Sequence, residues 1–147
     1  MRSARPEMED KVYAVIDTNV LVSALISSRP DSPPLLIMSH VYSGNIVPVF
    51  NEDIIAEYRE VLYRDKFKLN PDDIETALKV ILDYGLDIEQ GTISGEVFPD
   101  PKDIVFYEVM MSKTESYLIT GNTRHFPKNP FVVTPKEMTE ILLRRPK

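Results

Sequence analysis

Asp17, Glu57 and Asp103 are the acids of this chain whose placement could serve chemistry, and the oxygen-bearing neutral side chains Asn19, Thr120 and Asn122 accompany them. Asp17 directly follows the apolar run Val12 to Ile16 and opens the stretch DTNVLVSAL, which ends at Leu25. A carboxylate that ends a buried strand is held on a rigid support at the edge of a sheet, where a metal ion or a phosphate can reach it. The residue inventory narrows the chemistry. Cysteine is absent, which removes disulfides, thiolate zinc sites and a thiol nucleophile and is compatible with a cytoplasmic location. His40 and His125 are the only histidines, too few for a His-rich transition-metal centre. Oxygen chemistry remains.

Each of these residues also has a plainer role. Asp is a favoured N-cap, and Asp17 taken alone reads first as the cap of the helix that follows it. Glu57 lies on a helix whose apolar stripe is Ile54, Tyr58, Val61 and Leu62. At about 100° per residue it falls on the flank of that stripe, whereas Glu60 points away and has Arg64 one turn on as a surface partner. Asp100 suits an N-cap with Pro101 at the first helical position, which leaves Asp103 at the third, where helix amides favour negative charge. Cap and ligand are compatible roles for Asp103, because the helix it heads is apolar on most sides and would fix the carboxylate beside the sheet edge. Thr120-Gly121-Asn122 ends a further strand with a hydroxyl, a glycine that permits a tight turn or close backbone approach, and an amide. His125 belongs to packing or solvent on this reading.

The elements that must position these groups alternate. A chain of 147 residues that is 43% apolar supports one core, so residues 11–147 are expected to form one domain, with Met1 to Asp10 as a flexible polar arm. No apolar stretch has the length of a signal peptide core or a membrane span. Strands are predicted at Val12 to Ile16, Ile46 to Phe50, Leu86 to Ile88, Tyr117 to Thr120 and Phe131 to Val133. Helices are predicted from Val20, from Ser32 with Pro33 to Gly44, from Asn51 to about Arg64, from Asn70 to Gly85, and from Asp100, with a loop at Gly91 to Pro99. Thr134-Pro135-Lys136-Glu137 is a capping box that launches the last helix. Strands alternating with helices imply a mostly parallel sheet covered on both faces, whose carboxyl edge gathers acids distant in sequence. The net charge of -6 argues against a broad basic face but not against acids that hold cations at a phosphate. Basic residues gather at Arg59, Arg64, Lys66 and Lys68, around Arg124 and Lys128, and at Arg144, Arg145 and Lys147, and read mostly as solvated surface.

The chain resembles the PIN-domain nucleases, in particular the bacterial subfamily described as toxin components of toxin-antitoxin pairs. The likeness is carried by Ile16-Asp17-Thr18-Asn19-Val20-Leu21, by Glu57 in Ile55-Ala56-Glu57-Tyr58, by Asp103 in Asp100-Pro101-Lys102-Asp103, and by Leu118-Ile119-Thr120-Gly121-Asn122 before Thr123-Arg124-His125-Phe126. It spans roughly Val12 to Thr134, and the order and register of the pieces carry more than any one of them. The resemblance implies a three-layer α/β/α fold with a central, mostly parallel sheet and Mg2+- or Mn2+-dependent cleavage of RNA. It matches Asp17, Glu57 and Asp103 to the family's metal-holding acids, with Asn19, Thr120 and Asn122 positioning water or phosphate. It also implies an antitoxin protein as partner, often a homodimer, and no membrane association. One position departs from the pattern: Asn122 stands where an aspartate is common, which removes a charge from a second metal and leaves Asp100 as a partial substitute. Two alternatives accompany this reading. A catalytically weak or inactive domain that binds RNA or protein follows from Asn122. A Mg2+-dependent phosphatase of the haloacid dehalogenase type shares the first Asp but usually needs a second at the position of Asn19.

Overall fold

Parallel pairing governs the architecture in the computed structural model, which describes residues 11–89 and 94–144. The elements follow one another as β1 (Val12–Ile16), α1 (Thr18–Ile26), α2 (Pro33–Ser43), β2 (Ile46–Phe50), α3 (Glu52–Leu62), α4 (Pro71–Tyr84), β3 (Leu86–Asp87), α5 (Ile104–Ser112), β4 (Ser116–Ile119), β5 (Val132–Val133) and α6 (Pro135–Arg144). The five strands form one sheet in the order β3-β2-β1-β4-β5, every neighbouring pair parallel. Parallel neighbours need crossovers, and the helices between them supply these while covering the two faces, giving a three-layer α/β/α fold. The chain winds from β1 through β2 to β3 on one side, then returns to β4 and β5 on the other. The direction of winding reverses between β1 and β4, and the carboxyl ends of those two strands flank a crevice there.

Burial explains the strand sequences. In β1 the side chains of Val12, Ala14, Val15 and Ile16 are all buried, as expected of a central strand with helices on both faces. The helix starts carry their caps. The Ser32 hydroxyl accepts from the Leu35 amide, Asn51 Oδ1 from Ile54 and Asn70 Oδ1 from Asp72. Thr134 and Glu137 form the reciprocal capping box, at 2.9 and 3.1 Å. Gly44 ends α2 with a φ of 86°, a left-handed conformation that glycine adopts without steric cost.

The boundaries shift where pairing or packing runs out. β4 ends at Ile119, β5 starts at Val132, β3 ends at Asp87 and α3 ends at Leu62, each a residue or two inside the predicted span. The helix predicted from Asp100 divides into a 3-10 turn at Pro101–Asp103 and the α-helix from Ile104. Phe106, Tyr107, Val109 and Met110 bury that helix between layers, but Met111 is 44% exposed, so it is not enclosed on all sides. Of the loop predicted at Gly91 to Pro99, residues 91–93 lie outside the described residues, as do the arm at Met1 to Asp10 and the basic Arg145 and Lys147. Among the described residues no helix is long and apolar enough to cross a membrane.

Candidate functional site

The register of β1 with β4 builds the centre of the site. Ile16 pairs with Ile119, so Asp17 and Thr120 leave the ends of adjacent strands side by side, tied by the Asp17 amide donating to the Ile119 carbonyl at 2.9 Å. Asp17 is only 7% exposed. It occupies the N-cap position of α1, yet its side chain makes no cap hydrogen bond. The carboxylate turns instead to the sheet edge, where Oδ2 accepts from the Thr120 hydroxyl at 2.7 Å and from Asn19 Nδ2 at 3.2 Å. The cap role open to Asp17 in the sequence is therefore not the one its side chain takes up.

Two supports hold that carboxylate. Asn19 Oδ1 accepts from the Gly121 amide at 3.2 Å, so one amide side chain clamps Asp17 to the turn after β4. The Thr120 hydroxyl, fully buried, also accepts from the Asn122 amide at 3.0 Å. Thr120 thus orients Asp17, and its hydroxyl is committed to the protein rather than turned toward a phosphate or water. Gly121 adopts no positive φ, and a Cβ there would meet Asn19 Oδ1 at 3.5 Å, an ordinary contact. Neither the turn nor the close approach anticipated for it is what the backbone requires; its use here is the amide it gives to Asn19. The side chain of Asn122 is exposed on the wall of an open cavity that Arg124 and His125 also line.

The helix that carries Glu57 is tied to the end of β1 through the next residue. The buried Tyr58 hydroxyl donates to the carbonyl of Ile16, the residue before Asp17, and pins α3 against the end of β1. Glu57 is half-buried, whereas Glu60 is exposed and paired with Arg64 at 2.9 Å, as the helical phase predicts. Burial raises the Tyr58 hydroxyl far above its ordinary value, with the charge of Asp17 adding to it, so the group stays a neutral donor.

Asp103 stands at the head of α5 without capping it. Its carboxylate is 16% exposed and lies 3.6 Å from His125 Nδ1. Asp100 takes the capping task, with Oδ1 accepting from the Lys102 amide at 3.0 Å, and so has a structural use of its own. His125, in the 3-10 turn Thr123–His125, is 51% exposed, as its reading as a solvent-facing residue expects, and it also lies beside Asp103, a neighbour that reading did not anticipate. Its distance in sequence from Asp103 hid this; the one available signal was its position a few residues past the strand end that carries Thr120.

The charges report the same neighbourhood. Burial raises the pKa of Asp17, only partly opposed by Thr120, the Thr18 amide, His125 and Asn19. Asp103 is pushed up to about 6, first by burial, then by the charges of Asp17 and Asp100, with His125 opposing. Glu57 is raised by burial and, among smaller influences, by Asp17, while Lys102 pulls it down. Asp17 is the hub: its charge is felt by both of the other acids. Among the described residues no Lys or Arg forms an ion pair with Asp17 or Asp103, and His125 is the basic side chain beside Asp103. Thr18, next to Asp17, has the one buried side-chain polar atom without a hydrogen-bond partner among the described residues.

A family model described as PIN domain matches residues 13–124. The chain belongs to the PIN domain family. PIN domains are generally nucleases, and the match covers every acid of the site. The haloacid dehalogenase alternative gives way to it, and Asn19 serves this PIN domain as a clamp on Asp17 and Gly121 rather than as a second carboxylate. No curated protein and no solved structure matches the chain.

Hard-cation chemistry fits this donor set: carboxylates and neutral oxygens, no sulfur, and acids whose pKa values are raised by burial and mutual repulsion. Among the described residues no group of three or more His, Asp or Glu side chains is placed to hold one metal ion together, so Asp17, Glu57 and Asp103 do not form a three-ligand site as they stand. An open rim with one or two direct carboxylates suits Mg2+, which keeps several waters and takes phosphate oxygens as its remaining ligands.

Proposed function

We propose that this PIN domain is a Mg2+- or Mn2+-dependent ribonuclease that hydrolyses RNA phosphodiester bonds in the cytoplasm as the toxin component of a toxin-antitoxin pair. The observation that carries the reading is the carboxylate of Asp17, buried at the winding reversal and turned from its own helix to the sheet edge. Asp17 and Asp103 would hold the ion directly and Glu57 through water, with Asn122 and Asp100 as weaker candidates. When bound, the ion supplies Lewis-acid polarisation of the phosphate and an activated water. The protein's own share is orientation. Thr120 and Asn19 fix Asp17 so that little reorganisation is needed when substrate arrives. Tyr58 keeps α3 at the rim. His125, beside Asp103 and half open to solvent, can donate a hydrogen bond to a phosphate oxygen.

Cleavage of an unstructured RNA with added Mg2+ or Mn2+ tests the proposal, with chelator and Asp17→Asn as controls. Undiminished cutting in excess chelator, or by the variant, would remove it. A crystal soaked in Mn2+ would count the ions and name their ligands. The toxin role draws on the motif resemblance, and co-purification with the product of a neighbouring small reading frame, inhibiting cleavage, is its test; size-exclusion chromatography with light scattering tests the homodimer. Asn122, the neutral residue on the rim, favours the second reading of an RNA- or protein-binding domain without activity. RNA bound tightly but left intact across Mg2+, Mn2+ and Co2+ would establish that reading instead.

A further inference from the structure

Beside the acidic rim lies a second cavity, of about 420 Å³, lined among others by Arg124, Phe126, Pro127, Lys128 and Val132. It shares Thr123 and Arg124 with the opening that Asn122 and His125 border, and His125 in turn lies 3.6 Å from Asp103. We infer that this cavity is a nucleotide subsite that seats the RNA residue next to the bond being cleaved, with Arg124 and Lys128 holding its phosphates. The inference rests on the proposed nuclease reading for its geometry, and reaches beyond it to the residues that bind substrate.

Charge and shape both favour such an occupant. Arg124 and Lys128 are exposed and form no ion pair among the described residues, whereas Arg59 and Arg64 are each paired with a glutamate at 2.9 Å. Two cations without an ion pair among the described residues therefore line a cavity that adjoins the turn carrying His125, in a chain whose net charge is -6. That polarity suits a chain of phosphates that crosses the acids only where a cation is held and needs basic anchors on either side. The one acid on the wall, Glu137, is committed to its own helix start, where it accepts the Thr134 amide at 2.9 Å. Apolar surface from Phe126, Pro127 and Val132 offers a base or ribose a dry contact, and the volume falls in the range of small-ligand sites.

The floor is built in advance. The Phe126 ring stacks on Tyr107 with centroids 6.5 Å apart and meets Phe98 edge-on at 6.1 Å. Asn129 is fixed at both ends of its amide, by the Tyr107 hydroxyl at 3.2 Å and the Phe131 amide at 2.8 Å. A wall locked by packing loses little entropy when a ligand enters.

RNA binding read by fluorescence anisotropy with Ca2+, a hard cation that takes the same oxygen ligands, in place of Mg2+ or Mn2+ tests the subsite by affinity rather than by cleavage. The double variant R124A/K128A should raise the Kd of a short single-stranded RNA roughly tenfold and lower the salt slope of log Kd by about 1.4, or about 0.7 for each lost phosphate contact. The charge-matched control R29A/K66A, whose residues do not line the cavity, should change neither. RNA carrying 4-thiouridine beside the cleaved bond should crosslink within Thr123 to Asn129. Unchanged affinity in R124A/K128A, no RNA binding by the wild type, or equal affinity for inorganic polyphosphate or poly-glutamate would each overturn the assignment. A wild type that cuts RNA while the double variant binds it normally sinks the subsite alone; RNA binding that depends on these cations without any cleavage sinks the nuclease alone.

Discussion

Asp17 is a buried carboxylate placed at a cost to stability. Its burial and the repulsion it exerts on Glu57 and Asp103 oppose folding, while Asn in its place would keep an oxygen for Thr120 and Asn19 without the charge. Asp17→Asn is therefore expected to abolish cleavage and yet raise the melting temperature of the metal-free protein at pH 7.5 by a few degrees, about 2–8 °C per kcal/mol gained. A lower melting temperature in calorimetry would show that the carboxylate is a net stabiliser. Thr120→Val should act oppositely. It removes the hydroxyl that donates to Asp17 and accepts from Asn122, and leaves the buried Asp17 carboxylate with Asn19 as its remaining side-chain donor. A loss of about 1–3 kcal/mol in urea denaturation is expected, with slower cleavage at unchanged RNA affinity. Stability equal to wild type would mean that water replaces the hydroxyl. At this scale the sequence identified the acids but left their partners open: Asp17 as a cap and Asp17 as a site residue look alike until Ile16 is known to lie beside Ile119.

Elements were legible wherever a residue's local chemistry is enough. Ser32, Asn51, Asn70 and the Thr134–Glu137 box cap their helices because a cap needs only the next three residues. Glu57 and Glu60 separate by helical phase alone. Strand ends were less legible, because pairing partners decide them. Gly85 illustrates the difference. A helix stop was readable there, but the reason it must be glycine is tertiary: a Cβ would stand 2.4 Å from the Ile81 carbonyl, 2.5 Å from that of Pro48 and 2.8 Å from the Phe50 ring. Gly85→Ala should cost about 1–3 kcal/mol by prying α4 and β3 from β2. An unchanged urea midpoint would show that this edge of the sheet is loose enough to absorb a methyl group.

For the whole molecule, the buried acids with raised pKa values are expected to make stability depend on pH, and a bound cation would add to that dependence. The folded pKa of Asp103, about 6, lies above its ordinary 3.8, so the folded protein binds this proton more tightly than the unfolded chain does. The stability it brings is complete below pH 3.8 and is lost as the pH rises through about 6. Melting temperatures of the metal-free protein should fall over that window, and Asp103→Asn should flatten the decline. A slope identical in the variant would place the effect elsewhere. Mg2+ or Mn2+ should act in the reverse sense at pH 7.5, raising the melting temperature with concentration by mass action, and Asp17→Asn should remove that response. A cation effect of equal size in the variant would indicate general screening rather than a site.

Composition, periodicity and short motifs by themselves determined the parallel α/β character and the helix caps and singled out the candidate acids, because each depends on residues close together in the chain or on simple counts. Tertiary structure decided what those acids face. The adjacency of Asp17 and Thr120 and the Tyr58 tie to Ile16 arise at the end of β1, where the sheet reverses its winding, while the place of His125 beside Asp103 and the cavity at Arg124 and Lys128 come from the packing of the segment that follows β4. Strand order and register set those contacts, and both are properties of the folded sheet as a whole that no local stretch of residues encodes.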